Sequence, residues 1–367
     1  MSKGGKYAKK KVRAGGRGWK IVLTVLGVVL ALGVGAGVAV ALYFDGMVSE
    51  VNHVEVAKIE YTKPPVETKA PEATQVGKET QGAETTEPTE AVTSEDFINF
   101  LVVGQQARKG EEARLADTMI LCTLNTKTKT LTMTSILRDT LIKMPDYRGH
   151  IGGRIKLNTI YNLGYLYGDG IAGSMELMNM TLYDSFGIEV DHNFEIDFEV
   201  FVKVVEILGG VKIDLSEAEA RHLNVKPGVQ MMDGELALSY VRTRHADGDG
   251  GSDINRTSRQ RKLIEAIIAE VRTRNIADLQ TLVEEVLPLV ATSMSKDEIK
   301  DTLLMLLPML PELKLETAGA CPQEYKGGFL DIYNDGVEHS VLYYDKEETV
   351  KAMRAITEGE TYPESES

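Results

Sequence analysis

The stretch FINFLVVGQQARKGEEARLADTMILCTLNTKTKTLTMTSIL, residues 97–137, holds three apolar runs rich in β-branched and aromatic residues. INFLVVG, TMILCTLN and LTMTSIL each have strand length, and Gly104, the turn around Lys127 to Lys129 and Arg138 bound them. Three strands therefore open the folded region. Downstream the period changes. Apolar spacing predicts helices in SMELMNMTLYDSF, in DFEVFVKVVEILGG with Asp197 as cap and Gly209 as stop, in DGELALSYVRTR and in RTSRQRKLIEAIIAEVRTR. A strand, VKIDL, separates the second of these from the third. Beyond Asp278 come two more helical stretches, then LKLETAG and SVLYYD as strands, and a last helix from Lys346 to about Ile356. Alternation of this kind argues for an α/β sandwich with helices on a central sheet.

Towards the N-terminus the chain changes character. Ile21 to Phe44, IVLTVLGVVLALGVGAGVAVALYF, is 24 residues without a charge. As a helix rising roughly 1.5 Å per residue it covers the ~30 Å of a bilayer core with some tilt. Eight Lys and Arg residues crowd the first twenty positions, which hold no acid, whereas Asp45 and Glu50 follow the run. The positive-inside bias then places residues 1–20 in the cytoplasm, 21–44 across the cell membrane as a single pass, and everything downstream outside. Ala39-Val40-Ala41 resembles a signal-peptidase site, but the apolar run exceeds the usual h-region of about 7 to 15 residues, which favours an anchor. Residues 45–95 read as an extracytoplasmic stalk: from Tyr61 to Glu95, 19 of 35 residues are Thr, Glu or Pro, too polar to repay the entropy of ordering. A folded domain is expected over 96–357 and a frayed tail over 358–367.

Charge and cysteine content exclude several functions. The full chain of 367 residues has a net charge of -14, but beyond Lys20 it carries 33 basic against 55 acidic residues, a net of -22. Phosphate affinity comes mostly from basic side chains that displace counterions, so nucleic acid is not an expected partner. The two cysteines, Cys122 and Cys321, have no histidine at metal-ligand spacing, which argues against zinc. Cys122 sits within MILCTL and reads as a small core residue.

Against that acidic background one segment stands out. YVRTRHADGDGGSDINRTSRQRK, residues 240–262, carries Arg242, Arg244, Arg256, Arg259 and Arg261, with Gln260 among them. Converging guanidinium forks suit the oxygens of a diphosphate. On a helix beginning near Asn255, Arg256 and Gln260 are four apart and share a face, and the helix N-terminus adds its own positive field. The alternative is a solvated basic face paired with nearby acids, and charge alone leaves the two open.

Seven separated motifs carry a resemblance: FLVVGQQAR (100–108), ARLADTMIL (113–121), SILRDT (135–140), RIKLNTIYNLG (154–164), GIEVDHNFEIDFEVFVKVVEILGGV (187–211), MDGELALSYVRTR (232–244) and DINRTSRQRK (253–262). In this order they resemble the LytR-CpsA-Psr family, from about Phe97 to Ile356. The resemblance implies an α/β/α sandwich with a central mixed β-sheet and an apolar cavity for a polyprenyl chain. It further implies arginines that grip a pyrophosphate at the cavity mouth, with Mg2+ or Mn2+ beside it. The implied reaction is metal-dependent phosphotransfer. It moves a glycopolymer, of teichoic acid or capsular polysaccharide type, from a polyprenyl-pyrophosphate carrier to a peptidoglycan sugar hydroxyl.

Residue by residue, Arg138 falls on the family's pyrophosphate-binding arginine, preceded here by Leu137 where relatives have proline. Arg242 and Arg244 fall on its tyrosine-x-arginine-x-arginine, and Arg256 and Gln260 on the later helix. Asp117 matches a metal ligand that is also an acceptor-activating carboxylate. Asn158 lies in the RIKLN motif with a packing or loop-stabilising role as its alternative, and Asp253 is either a second carboxylate near the metal or a residue that caps the helix or pairs with an arginine. Two departures stand out. Gln106 occupies the place where relatives carry a metal-binding aspartate, and a neutral amide adds no charge to such a site. Where relatives often have arginine two residues before the aspartate this chain has Leu115, with Arg114 one position earlier. A non-catalytic scaffold that binds polyprenyl pyrophosphate or glycan is the competing expectation.

Overall fold

The first two apolar runs pair edge to edge with their strand directions opposed, and the third continues the sheet. In the computed structural model, which describes residues 48, 51–59, 61, 92–105, 114–243 and 253–359, they are β2 (Phe97–Gln105), β3 (Ala116–Asn125) and β4 (Thr130–Ile136), after a short β1 (Asn52–His53). Among those residues the side chains of Phe198, Asp253, Ile254 and Ile276 are not described. The β3–β4 hairpin turns where Asn125 accepts from the backbone N–H of Lys127 and Thr128, and Lys129 adopts a positive φ of 55°. Next come the small β5 (Leu141–Lys143) and β6 (Arg154–Lys156), helices α1 (Leu157–Tyr167) and α2 (Ile171–Phe186), and β7 (His192–Ile196). The second half runs α3 (Phe198–Ile207), β8 (Val211–Leu215), α4 (Glu217–Leu223), β9 (Gly228–Met232), α5 (Gly234–Arg242) and α6 (Asp253–Val271). Then follow α7 (Ile276–Val286), β10 (Ala291–Thr292), α8 (Lys296–Met309), β11 (Lys314–Cys321), β12 (Lys326–Leu330), β13 (His339–Tyr343) and α9 (Lys346–Thr357).

Among the described residues seven strands form one mixed sheet in the order β1-β10-β7-β2-β3-β4-β11. Antiparallel pairing joins β2 to β3 and β3 to β4, and parallel pairing joins β2 to β7 and β4 to β11. Successive side chains of a strand point to opposite faces, so β3 shows what covers each face. Met119 and Leu121 enter one core with Ile160 of α1, Met175 of α2 and Met353 of α9. Thr118 and Ile120 look the other way, onto Gln260 and Leu263 of α6. Helices therefore cover both faces. A second core, centred on Val205, Ile213, Ala237, Tyr240 and Leu263, joins α3, α5 and α6 to the β8–β9 ribbon. On the first face α1 and α2 cross closely because both carry glycine: a Cβ on Gly164 would lie 2.4 Å from the Gly173 carbonyl oxygen.

Several expectations need correction. VKIDL and SVLYYD do form strands, but β8 pairs with β9, and β13 with β12, in ribbons outside the central sheet. Part of the segment assigned to the stalk belongs to the fold: β1 pairs in parallel with β10, and Val54 and Val56 pack against the first core. Glu358, assigned to the frayed tail, is buried, and its backbone N–H donates to the Arg354 carbonyl. The proposed membrane span at 21–44 and most of the Thr/Glu/Pro-rich stretch lie outside the described residues. Among the described residues no helix is long and apolar enough to cross a membrane.

Candidate functional site

A cavity of about 390 Å³ lies between the sheet and α6. Its apolar wall is built by Val102, Ile120, Ile196, Phe201, Leu263 and Ile264, contributed by three strands and two helices. Its polar wall is built where β2 and β3 end. There the ladder slips: Gly104 pairs with Thr118 but Gln105 pairs with Ala116, so Asp117 is the extra residue of a β-bulge. Bulges re-aim side chains at the end of a ladder, and here the residue so placed is a carboxylate lining the cavity.

Arg138, in the turn after β4, donates from Nη1 to Asp117 Oδ1 at 2.7 Å. Its Nε lies 3.5 Å from Asp139 Oδ2, and Lys156 Nζ donates to the other oxygen of Asp139 at 3.0 Å. The Arg138 carbonyl accepts from the backbone N–H of Asn158, so the start of α1 holds the arginine's backbone while Asp117 and Asp139 hold its head.

Helix α6 supplies the opposing side. Arg256, 5% exposed, donates from Nη2 to the Asp117 carbonyl oxygen at 3.2 Å. One turn on, Gln260 donates to Thr118 Oγ1 at 2.7 Å. Arg242, at the C-terminal end of α5, is exposed and lines the same cavity. The other two arginines of the cluster turn elsewhere. Arg259 is buried, donates to the Thr243 carbonyl and approaches Glu219 of α4 to 3.8 Å. Arg261 donates to Ser135 and to the Gly319 carbonyl, fastening α6 to β4 and β11, and burial lowers the pKa of its guanidinium. The i, i+4 face named from sequence is thus the cavity face, and the arginines on either side of Gln260, Arg259 and Arg261, are fastenings.

Arg114 is not among the residues that line the cavity. Its guanidinium pairs with the buried Glu195 of β7, and its head stands 4.9 Å over the Tyr165 ring. Tyr161 donates its hydroxyl to the second oxygen of Glu195 at 2.7 Å. Burial, and then the neighbouring carboxylate, push the Tyr161 hydroxyl well above its ordinary pKa, which keeps it a donor. Leu115 is exposed.

A sequence model described as the LytR_cpsA_psr family matches residues 66–314. The chain belongs to the LytR-CpsA-Psr family. Among curated relatives, polyisoprenyl-teichoic acid–peptidoglycan teichoic acid transferase TagU of Oceanobacillus iheyensis is 30% identical over 213 residues, covering 58% of this chain and 62% of TagU. The match therefore spans a little under two thirds of that relative's length. Protein gbs0355 from Streptococcus agalactiae superposes with a TM-score of 0.56 at 25% identity, over 71% of this chain and 87% of its own. A TagT structure bound to LI-WTA superposes with a TM-score of 0.52 at 26% identity, over 74% of this chain and 91% of its own.

Of the residues that the LytR-CpsA-Psr motifs single out, the fold brings Asp117, Arg138, Arg242, Arg256 and Gln260 to one place. Asn158 supports Arg138 through its main chain, while its side-chain oxygen accepts from Thr159. Gln106 and Arg244 lie outside the described residues, as does the side chain of Asp253, whose backbone opens α6. Motif reading missed Gln105, Thr118 and the Glu195–Tyr161 pair. The first two lie inside quoted motifs without an assigned role, and the reach of Tyr161 to a carboxylate 34 positions away has no local signal.

Proposed function

We propose that this protein is a phosphotransferase that attaches a glycopolymer from a polyprenyl-pyrophosphate carrier to a peptidoglycan sugar hydroxyl. One observation carries the reading: an apolar cavity whose polar wall gathers two arginines, two amides and a bulge-mounted carboxylate, with Arg138 tied to that carboxylate. The apolar wall suits the prenyl chain, and Arg138, Arg242 and Arg256, with Gln260, suit the diphosphate. In the transfer the acceptor hydroxyl oxygen bonds to the phosphorus that bears the glycan. The bridging P–O bond breaks and polyprenyl phosphate leaves. The chain's part is to orient the diphosphate and stabilise charge that develops on its oxygens. Asp117 takes the hydroxyl proton or helps hold a divalent cation.

Mg2+ characteristically takes one or two carboxylates together with substrate phosphates and water. Asp117 fits that pattern, although the described residues contain no group of three metal-ligating side chains. A bound Mg2+ or Mn2+ would neutralise phosphate charge. TagU's name and the TagT complex support a teichoic-acid-type glycan and a peptidoglycan acceptor. The basic N-terminus followed by an uncharged run supports a membrane-anchored, extracytoplasmic enzyme.

The test is single-turnover transfer by the full-length protein in detergent, using several polyprenyl-pyrophosphate glycan donors and peptidoglycan oligomers, with Mg2+ or chelator. Metal-dependent covalent product is expected. Tight donor binding without product across all donors would leave a lipid-pyrophosphate-binding scaffold instead.

A further inference from the structure

Gln105 ends β2 at the residue where its ladder with β3 slips, and it lines the cavity. It is 2% exposed, and neither Oε1 nor Nε2 of its amide has a hydrogen-bond partner among the described residues. Buried polar groups are nearly always paired, because an unpaired one forfeits its water without compensation. Its neighbours Gln260 and Asp117 do have side-chain partners: Gln260 donates to Thr118, and Asp117 accepts from Arg138. An amide buried at a cavity wall and left unsatisfied points to a ligand that satisfies it.

We propose that Gln105 is a specificity-determining residue of the donor site, satisfied by the junction between the diphosphate and the first sugar of a lipid-linked glycan. The assignment rests on reading the cavity as a lipid-pyrophosphate site. A glutamine amide offers both an NH2 donor and a carbonyl acceptor. A prenyl chain answers neither. An ionised diphosphate oxygen accepts from Nε2 but has no proton to give Oε1. A sugar attached to that diphosphate brings a hydroxyl or acetamido N–H, and this supplies the missing donor. Gln105 therefore favours the glycosylated carrier over the bare lipid phosphate that remains after transfer. Sites built to hydrogen-bond a substrate group reject analogues lacking it far more strongly than apolar pockets do, because the site's own polar atoms are then stranded.

The experiment measures binding by the full-length protein in detergent, and by its Gln105→Leu and Gln105→Met variants. Three probes are used: polyprenyl pyrophosphate bearing one N-acetylhexosamine, bare polyprenyl pyrophosphate, and polyprenol. Both variants are expected to bind the glycosylated probe at least about tenfold more weakly, the bare diphosphate with a smaller loss, and polyprenol unchanged. Their ligand-free melting temperatures should equal or exceed that of the wild type, since an unsatisfied amide has been removed. Equal losses for all three probes, or lower ligand-free melting temperatures in both variants, overturn the assignment. Wild-type binding of the glycosylated probe that both variants retain overturns this assignment alone. A wild-type protein that binds neither diphosphate probe overturns the cavity reading as well.

Discussion

Arg138 Nη1 and Asp117 Oδ1 are 2.7 Å apart, although 21 positions separate them in the chain. The β3–β4 hairpin brings the two ends together, and the bulge at Asp117 supplies the turn of the backbone that lets the carboxylate meet the guanidinium. Each side chain fixes the other at the cavity mouth, so the charge that would face a diphosphate is positioned before any ligand arrives. Preorganisation of this kind is where electrostatic catalysis draws its advantage.

That relationship predicts different losses for different changes. Arg138→Lys retains the charge but gives up the planar fork, and donor affinity is expected to fall about tenfold, with a larger fall for Arg138→Ala. Asp117→Asn should lower the single-turnover rate by about 100-fold or more while donor affinity changes only a few-fold. Isothermal titration and quenched single-turnover assays separate the two outcomes. Equal activity for Arg138→Lys and wild type would rule out a bidentate role.

The arginines of residues 240–262 should divide by burial. Arg259 is held against Thr243 and Glu219, and Arg259→Ala leaves the buried Glu219 carboxylate with the neutral donors of Ser216 and without this cation. A loss of about 3 kcal/mol in urea unfolding is expected. Arg242 is exposed at the cavity, so Arg242→Ala should leave the urea midpoint within experimental scatter and weaken diphosphate binding.

The division shows what the sequence could reveal. Spacing of four placed Arg256 and Gln260 on one helical face, and that face lines the cavity. Nothing local distinguished Arg259 and Arg261 as fastenings, because their partners Glu219, Ser135 and Gly319 come from other elements. The strands β2, β3 and β4 were legible as apolar runs, and α3 and α5 from their period, with Asp197 as the cap of α3; that Asp233 caps α5 is a finding of the structure. By contrast β7, HNFEI, lies beside β2 in the sheet yet reads as polar. Its glutamate is settled by Arg114 and Tyr161, partners visible only in three dimensions. The edge strand β1 was hidden for a related reason: two residues pairing with β10 are too few to show a period.

Close approach of α1 and α2 yields a packing prediction. A methyl group at Gly164 would meet the Gly173 carbonyl oxygen at 2.4 Å and the Ser174 Cα at 2.7 Å, both backbone atoms. Neither can swing aside as a side-chain tip would. Gly164→Ala is expected to cost about 2 kcal/mol or more despite alanine's better helix propensity, with thermal melting as the readout.

The cysteines should behave as inert thiols. Both are free, Cys122 on β3 and Cys321 at the end of β11, with β4 between their strands. Desolvation pushes the Cys122 thiol up to about 12 and raises Cys321 as well. At pH 8 only roughly one Cys122 thiol in ten thousand is then ionised, and the thiolate is the reactive form. Iodoacetamide labelling of the native protein should be more than about 100-fold slower than in urea. Rapid native labelling at Cys122 would contradict this environment.

Arg114 provides the last test, because the resemblance leaves its task open and the geometry gives it one. If it grips the diphosphate, Arg114→Ala should weaken donor binding and leave stability nearly unchanged. The structure instead pairs it with Glu195, a buried carboxylate whose other oxygen accepts from Tyr161. Removing the arginine leaves that charge with one neutral donor, and a loss of about 2 kcal/mol is expected, reduced from fully buried pairs because the arginine is partly exposed. A double-mutant cycle isolates the contact: Glu195→Gln removes the charge that needs compensation, so Arg114→Ala should cost much less in that background. Donor affinity should change no more than a few-fold in the stable variants. Additive stability losses, together with a large fall in affinity from Arg114→Ala alone, would instead place Arg114 on the diphosphate despite the Leu115 departure.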